Sequence, residues 1–241
     1  MTSKRESEIR ALIAERARIR GGRPTLEDVC AACGERVGAD GVTVFLESRE
    51  AREQPVCTTG PLGRALADLQ ATLGQGPSVT VLSTGDPVLV ADLAQRHRHA
   101  EWPLFTPAAL QEGARAVFAF PLRTGAVNLG AIELQRADPL PLGDRELADA
   151  LTFAEAALAL MLDDTVPLLD DSSSGEGLDL FSHHVEVHQA AGMISAQIDA
   201  DIEVAFVRLR AYAFRHERRL TDVAHDVVRR KLRFSPEPQD D

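Results

Sequence analysis

Aromatic residues are scarce in this chain: they make up 5% of its 241 residues, with a single tryptophan, Trp102, and a single tyrosine, Tyr212. The core must therefore come mainly from aliphatic side chains, which an apolar content of 44% supplies. Cysteine is also rare, and Cys30, Cys33 and Cys57 are an odd number that builds no disulfide framework. Cys30 and Cys33 sit one helical turn apart and cannot complete a zinc or iron–sulfur site without further ligands, so all three read as small buried hydrophobes. No apolar run approaches the ~18 residues that span a bilayer. The charged start Met1-Thr2-Ser3-Lys4-Arg5-Glu6 has no apolar stretch behind it. The expectation is a soluble, cytoplasmic protein with no membrane partner. Catalytic signatures are missing as well: there is no Gly-x-Ser-x-Gly, no Walker loop and no His-Glu-x-x-His. Gly74-Gln75-Gly76-Pro77 imitates a phosphate loop only superficially, because Pro77 has no backbone donor. The chain is expected not to be an enzyme, and its residues name no cofactor. His97 and His99, in the polar stretch Gln95–Glu101, are not read as haem ligands, and His183, His184 and His188 lack the carboxylate or cysteine that would complete a metal set.

What the chain does have is charge, unevenly placed. Its net charge is −11, yet nine Lys/Arg (Arg208, Arg210, Arg215, Arg218, Arg219, Arg229, Arg230, Lys231, Arg233) face three acids (Glu217, Asp222, Asp226) near the C-terminus, a local +6. A basic island on an acidic chain calls for an anionic partner, with nucleic acid the first candidate. Arg229, Arg230 and Lys231 also suit a helix C-terminus, where cations offset the dipole.

Periodicity outlines the elements. Residues 4–20 place Ile9, Leu12, Ile13 and Ile19 at helical spacing. Thr25 then caps a second helix, with Asp28 three residues on as a loose capping box. Val42–Leu46 and Pro55–Thr59 read as strands, Leu62–Leu73 as a helix, Val88–Val90 as a short strand and Thr106–Glu112 as a helical turn or two. Ala116–Leu122 and Ala126–Leu134 form a hairpin about Arg123-Thr124-Gly125. A helix over 143–162 carries Leu147, Leu151, Leu158 and Met161. The order is not a βαβ repeat, so the class is α+β, an antiparallel sheet with flanking helices. A polar linker over 164–179 separates it from three short helices, near 181–197, a second capped by Asp199 or Asp201, and a third from Leu220. Gly192 in mid-helix costs ~1 kcal/mol relative to Ala, which suggests a close approach to the backbone there.

The run His188-Gln189-Ala190-Ala191-Gly192-Met193-Ile194, then Ala205-Phe206-Val207-Arg208-Leu209-Arg210-Ala211-Tyr212-Ala213, then Arg218-Arg219-Leu220-Thr221-Asp222-Val223-Ala224, resembles the ANTAR module over all three helices. The resemblance implies a three-helix RNA-binding domain over 180–234 that holds paired hairpins of a nascent transcript and so prevents termination. It places Gln189, Ala190 and Gly192 on the RNA-facing part, with Arg210, Arg218 and Arg219 contributing charge. Arginine forks suit phosphates and unpaired bases. The family's Lys, Glu and Asn fall at Ala191, Val204 and Glu217 here.

Residues 25–163 resemble a GAF domain through Leu73-Gly74-Gln75-Gly76-Pro77, Gly85-Asp86-Pro87-Val88-Leu89-Val90, Trp102-Pro103-Leu104-Phe105, Phe120-Pro121-Leu122 and Leu129-Gly130-Ala131-Ile132-Glu133-Leu134. The resemblance implies a sensory fold whose pocket would be lined or filled by Trp102, Phe105, Phe118, Phe120 and Ile132, for a small-molecule or protein signal. It also implies a homodimer through the terminal helices. The stripes at Ile9/Leu12/Ile13/Ile19 and Leu147/Leu151/Leu158/Met161 fit that interface, or equally the protein's own sheet. The chain thus divides into an N-terminal helix (1–24), a GAF domain (25–163), a linker (164–179), an ANTAR domain (180–234) and an acidic tail (235–241). The expected function is RNA-binding antitermination under a sensor. The alternatives are a DNA-binding regulator using the helices as a helix-turn-helix and a protein–protein adaptor using them for docking.

Overall fold

The computed structural model describes residues 2–47, 54–95, 100–125, 127–162, 176–216 and 218–235, without the side chains of 2–3, 176–185, 188 and 203. Residues 164–175 of the linker expected over 164–179, Ala126 of the expected hairpin, the tail beyond Ser235, His97, His99, Glu217 and the side chains of His183, His184 and His188 lie outside the described residues.

Helix α1 (Thr2–Arg20) precedes α2 (Leu26–Val37), which starts where expected. The Thr25 side chain accepts from the Asp28 amide, and Asp28 Oδ2 accepts from the Thr25 amide at 3.0 Å, a complete capping box. Strands β1 (Gly41–Leu46) and β2 (Gln54–Thr59) follow, then α3 (Gly60–Leu73), α4 (Pro77–Thr84), β3 (Val88–Val90) and α5 (Phe105–Gln111). The hairpin β4 (Ala116–Thr124) and β5 (Val127–Arg136) leads to α6 (Asp144–Leu162). The five strands form one antiparallel sheet in the order β2-β1-β5-β4-β3.

Strand alternation gives this sheet two different faces. On one, Val42, Val44, Phe118, Phe120, Leu122, Ile132 and Leu134 pack under α1, α2 and α6. Cys30, Cys33 and Cys57 are buried in the same layer, where desolvation pushes the Cys30 and Cys33 thiols well above their ordinary range and leaves them unreactive. Asp149 of α6, 2% exposed, accepts from Arg5 Nε of α1 at 3.0 Å and Arg36 Nε of α2 at 2.8 Å, fastening the three helices together. The opposite face carries Val117, Ala119 and Ala131 under α3, α4 and α5. There α3 lies very close to β1: a Cβ at Gly41 would stand 2.5 Å from the Gly63 amide nitrogen, so only glycine permits the approach.

Three C-terminal helices, α7 (Glu176–Ile198), α8 (Ile202–Arg215) and α9 (Leu220–Val228), share their own core of Ala190, Ala191, Ile194, Phe206, Leu209, Ala213, Val223 and Ala224. Helix α7 begins at Glu176, inside the stretch expected to be linker. Asp201 occupies the N-cap of α8 but makes no side-chain cap bond. The group rests on the sheet domain through α7 against β2, and through α8 and α9 against α3.

Several expectations change. Helix α4 was not foreseen, because Pro77-Ser78-Val79-Thr80-Val81 is rich in β-branched residues; Pro77 at its first turn and left-handed Gly85 at its end define it. In α6, Leu147, Leu158 and Met161 pack half-buried against the core around the fully buried Ala150, Phe153 and Ala157, whereas Leu151 is 46% exposed. In α1, Ile9 and Ile13 are buried and Leu12 and Ile19 are exposed. Asp149→Ala should destabilise the protein by about 1–3 kcal/mol, a buried-pair penalty reduced because both arginines can rehydrate. Chemical denaturation of the two proteins checks this, and unchanged stability would mean that the three helices do not depend on the carboxylate.

Candidate functional site

Beneath α3 and α4 the sheet carries a buried polar cluster. Thr43, Glu133 and Gln135 project from β1 and β5 to the α3 side, Glu133 opposite Thr43 and Gln135 opposite Gly41 in the register. Gln70 of α3 and Ser78 of α4 close over them, and all five side chains are buried. Gln70 Nε2 donates to both Glu133 oxygens, at 3.1 and 3.0 Å, and Gln135 Nε2 donates to Glu133 Oε1 at 3.0 Å. The other end of the Gln70 amide accepts from the Ser78 amide at 2.9 Å and its hydroxyl at 2.7 Å. Gln135 Oε1 is buried with no donor among the described residues.

Burial pushes the Glu133 carboxyl up to about 7, against the lowering effect of hydrogen bonds from Gln135, Gln70 and the Ser78 backbone. A carboxyl poised there exchanges a proton near neutral pH. Charged, it is an acceptor for cationic or donor-rich groups; protonated, it can itself donate a hydrogen bond. Nothing singled out Glu133, Gln135, Gln70, Ser78 or Thr43 in the sequence, although two polar residues alternating within the apolar run of β5 were a visible signal.

The five residues expected to line one pocket do not share a face. Trp102 and Phe105 lie on the α3 side, where Trp102 Nε1 donates to Thr80 Oγ1 at 3.0 Å and the two rings meet edge to face at 5.9 Å. Phe118, Phe120 and Ile132 occupy the layer under α2 and α6. The pleat is the reason: 118 and 120 share a parity on β4, and 132 is paired with 120 across β5. The single-pocket expectation is therefore corrected, with Trp102 and Phe105 on the α3 side of the sheet and the other three in the opposite core.

On the C-terminal helices, Gln189 and Gly192 are exposed on α7, and a Cβ at Gly192 would meet nothing within 4 Å. No described residue of this chain makes the close approach to the backbone expected at Gly192. Ala190 is 0% exposed in the helical core, so it supports the surface rather than forming it. Arg218 Nη2 donates to Asp226 Oδ2 at 2.7 Å, which holds the Asp226 carboxyl below its usual range. Arg219 keeps a side chain 69% exposed and lies 3.7 Å from Asp68 of α3. Arg210 reaches the end of α3, its Nη1 lying 3.3 Å from where a Gly74 Cβ would stand. Val204, Val207 and Phe214 form an exposed apolar stripe along α8.

The domain is thus an antiparallel sheet clad by helices on both faces, with polar groups buried beneath one of them. The family model described as GAF domain matches residues 24–163, and the chain belongs to the GAF domain family, a class of sensing and signalling modules. Among solved structures, it is similar to the GAF domain of a phosphoenolpyruvate-protein phosphotransferase from Coxiella burnetii, at 18% identity over 66% of this chain and 92% of that one, with a TM-score of 0.47. It is also similar to a GAF domain/HD domain protein from Geobacter sulfurreducens, at 21% identity over 58% and 95%, with a TM-score of 0.41. Among curated proteins none matches the chain. No helix among the described residues is long and apolar enough to cross a membrane.

Glu133 links stability to pH. Its folded pKa, about 7, lies above the ordinary 4.5, so between those values the folded state holds a proton that the unfolded chain has lost. Stability from this group is therefore present below about pH 4.5 and falls as pH rises toward 7. Glu133→Gln should remove that slope and stabilise the protein by about 3 kcal/mol at pH 8 relative to pH 4. Denaturant midpoints of both proteins across this range check it; parallel curves would contradict it.

Proposed function

We propose that the chain is a two-part regulator in which the GAF domain senses a signal and the C-terminal helices, as a module of the ANTAR type, bind paired RNA hairpins and prevent transcription termination. The observation that carries this reading is an arginine-rich helical unit on a chain of net charge −11: Arg210, Arg218 and Arg219 are at least partly exposed, as are Gln189 and Gly192. The open helix surface at Gly192 suits a backbone of another molecule. The contact set becomes Gln189, Gly192, Arg210, Arg218 and Arg219, with Ala190 packed behind them. On the sensing side, Glu133 and the unmatched Gln135 carbonyl suit a small molecule carrying hydrogen-bond donors, with Trp102 and Phe105 as its apolar neighbours. The protein acts in the cytoplasm and is not a catalyst.

A homodimer fits the same reading. A groove of ≈ 520 Å³ runs between α1 and α6, lined in part by Ile13, Ala14, Pro24, Ala156 and Leu160. Pairing there would present two modules to two hairpins and raise the effective concentration of the second contact. One observation favours the adaptor as second reading: Val204, Val207 and Phe214 are 44%, 66% and 53% exposed on one side of α8, an apolar surface for a protein partner.

Arg219→Ala should weaken binding to a paired-hairpin RNA and lower the slope of log K against log salt by roughly 0.7–0.9, one phosphate contact. Arg218→Ala should do the same and also loosen α9, because it removes the Asp226 partner. Titrations at several salt concentrations, with duplex DNA as competitor, check both. Unchanged affinity and slope would take these arginines out of the interface, and equal displacement by DNA would favour a DNA-binding regulator.

A further inference from the structure

Helix α3 has two occupied sides. One closes the polar cluster: Gln70 is fully buried against Glu133, and Leu66 and Ala67 pack on the same side of the domain. The other bears the C-terminal helices: Ala71 packs against their core, and Asp68 faces Arg219. The two sides meet at the end of the helix. Gln70 and Gly74 are one turn apart and therefore lie on one ridge. The Gly74 amide donates to the Gln70 carbonyl at 2.8 Å, and Gly74 adopts φ 63, the left-handed cap that a side chain would strain. Against that cap lies the Arg210 guanidinium, at the negative end of the α3 dipole. A contiguous path thus runs from Glu133 through the Gln70 amide and backbone to Gly74 and Arg210, while the turn from Gly74 to Ser78 wraps the same glutamine amide.

We propose that α3 is the coupling element of this protein, carrying a change at the Glu133–Gln70 contact into the seat of the C-terminal helices. The route is a docked helix and not the chain connection between α6 and α7. A ligand or proton that alters how Gln70 is held shifts the C-terminal turn of α3, and with it the cap that receives Arg210 and the surface that receives Ala71. Because coupling between two sites is reciprocal, releasing the C-terminal helices must in turn loosen the polar cluster. The inference does not depend on what the helices bind, so it can fail while the RNA reading stands, and the reverse.

The test is hydrogen exchange on the full chain in three variants. Gln70→Ala cuts the path at the sensing side, and Ala71→Arg breaks the docked surface by bulk and by repulsion from Arg210 and Arg219. Gln70→Ala should raise exchange in α8 and α9 by about fivefold or more, the lower end of usual coupling. Ala71→Arg should raise exchange by a similar factor at the Ser78 amide and in the last turn of α3. Glu133→Gln preserves volume and serves as the sensing-side probe should Gln70→Ala not fold. Exchange that changes only within the mutated part, with the other part as in the wild type, would overturn the proposal.

Discussion

The glutamine amide of Gln70 is the contact on which the arrangement of this molecule turns. Its nitrogen donates to both oxygens of the buried Glu133 carboxyl, and its oxygen receives two donors from Ser78. An unpaired buried carboxylate is costly, and its neutral form is favoured unless donors converge on it. Those donors converge only if α3 keeps its position over β5 and α4 starts where it does. Gly41 permits the first by letting α3 press on β1, and Pro77 sets the second. The position of α3 then fixes where Ala71 and Gly74 meet the C-terminal helices.

The sheet divides the labour. The face under α1, α2 and α6 is apolar and stapled at its edges, with Asp149 holding Arg5 and Arg36 and Arg136 donating to the Val37 and Gly38 carbonyls. Burial there pushes the Cys30 and Cys33 thiols up and keeps them protonated. The face under α3 and α4 keeps Thr43, Glu133 and Gln135 on the same strands that are apolar on the other side. A rigid layer backing an electrostatically poised one suits a module that must respond without unfolding.

Local chemistry was legible where one residue decides one feature. The Thr25–Asp28 cap, the β4–β5 hairpin and the family character of the first domain could be read directly. Features that depend on which side of an element faces inward were not. Phe118, Phe120 and Ile132 look like pocket residues until strand parity assigns them to the opposite core. In α6 the deepest positions go to Ala150, Ala154 and Ala157, which allow close packing against the sheet, with Leu147, Leu158 and Met161 half-buried around them and Leu151 left outside. Ala190 could not be told from a surface residue because small side chains serve both close core packing and close partner approach. Glu133 was hidden in plain view: a lone acid in an apolar strand gains meaning only when Gln70, far away in sequence, is placed above it.

Glu133 is a buried acid, held by Gln70 and Gln135, that burial pushes up to about 7. Titrating its carboxyl directly, by carbon-13 resonance in the full chain from pH 4 to 9 with Glu133→Gln identifying the signal, tests this most directly. The account predicts a midpoint near 7, displaced when Gln70 is replaced. A midpoint near the ordinary 4.5 would mean that the carboxyl is hydrated, and that α3 does not seal the site described here.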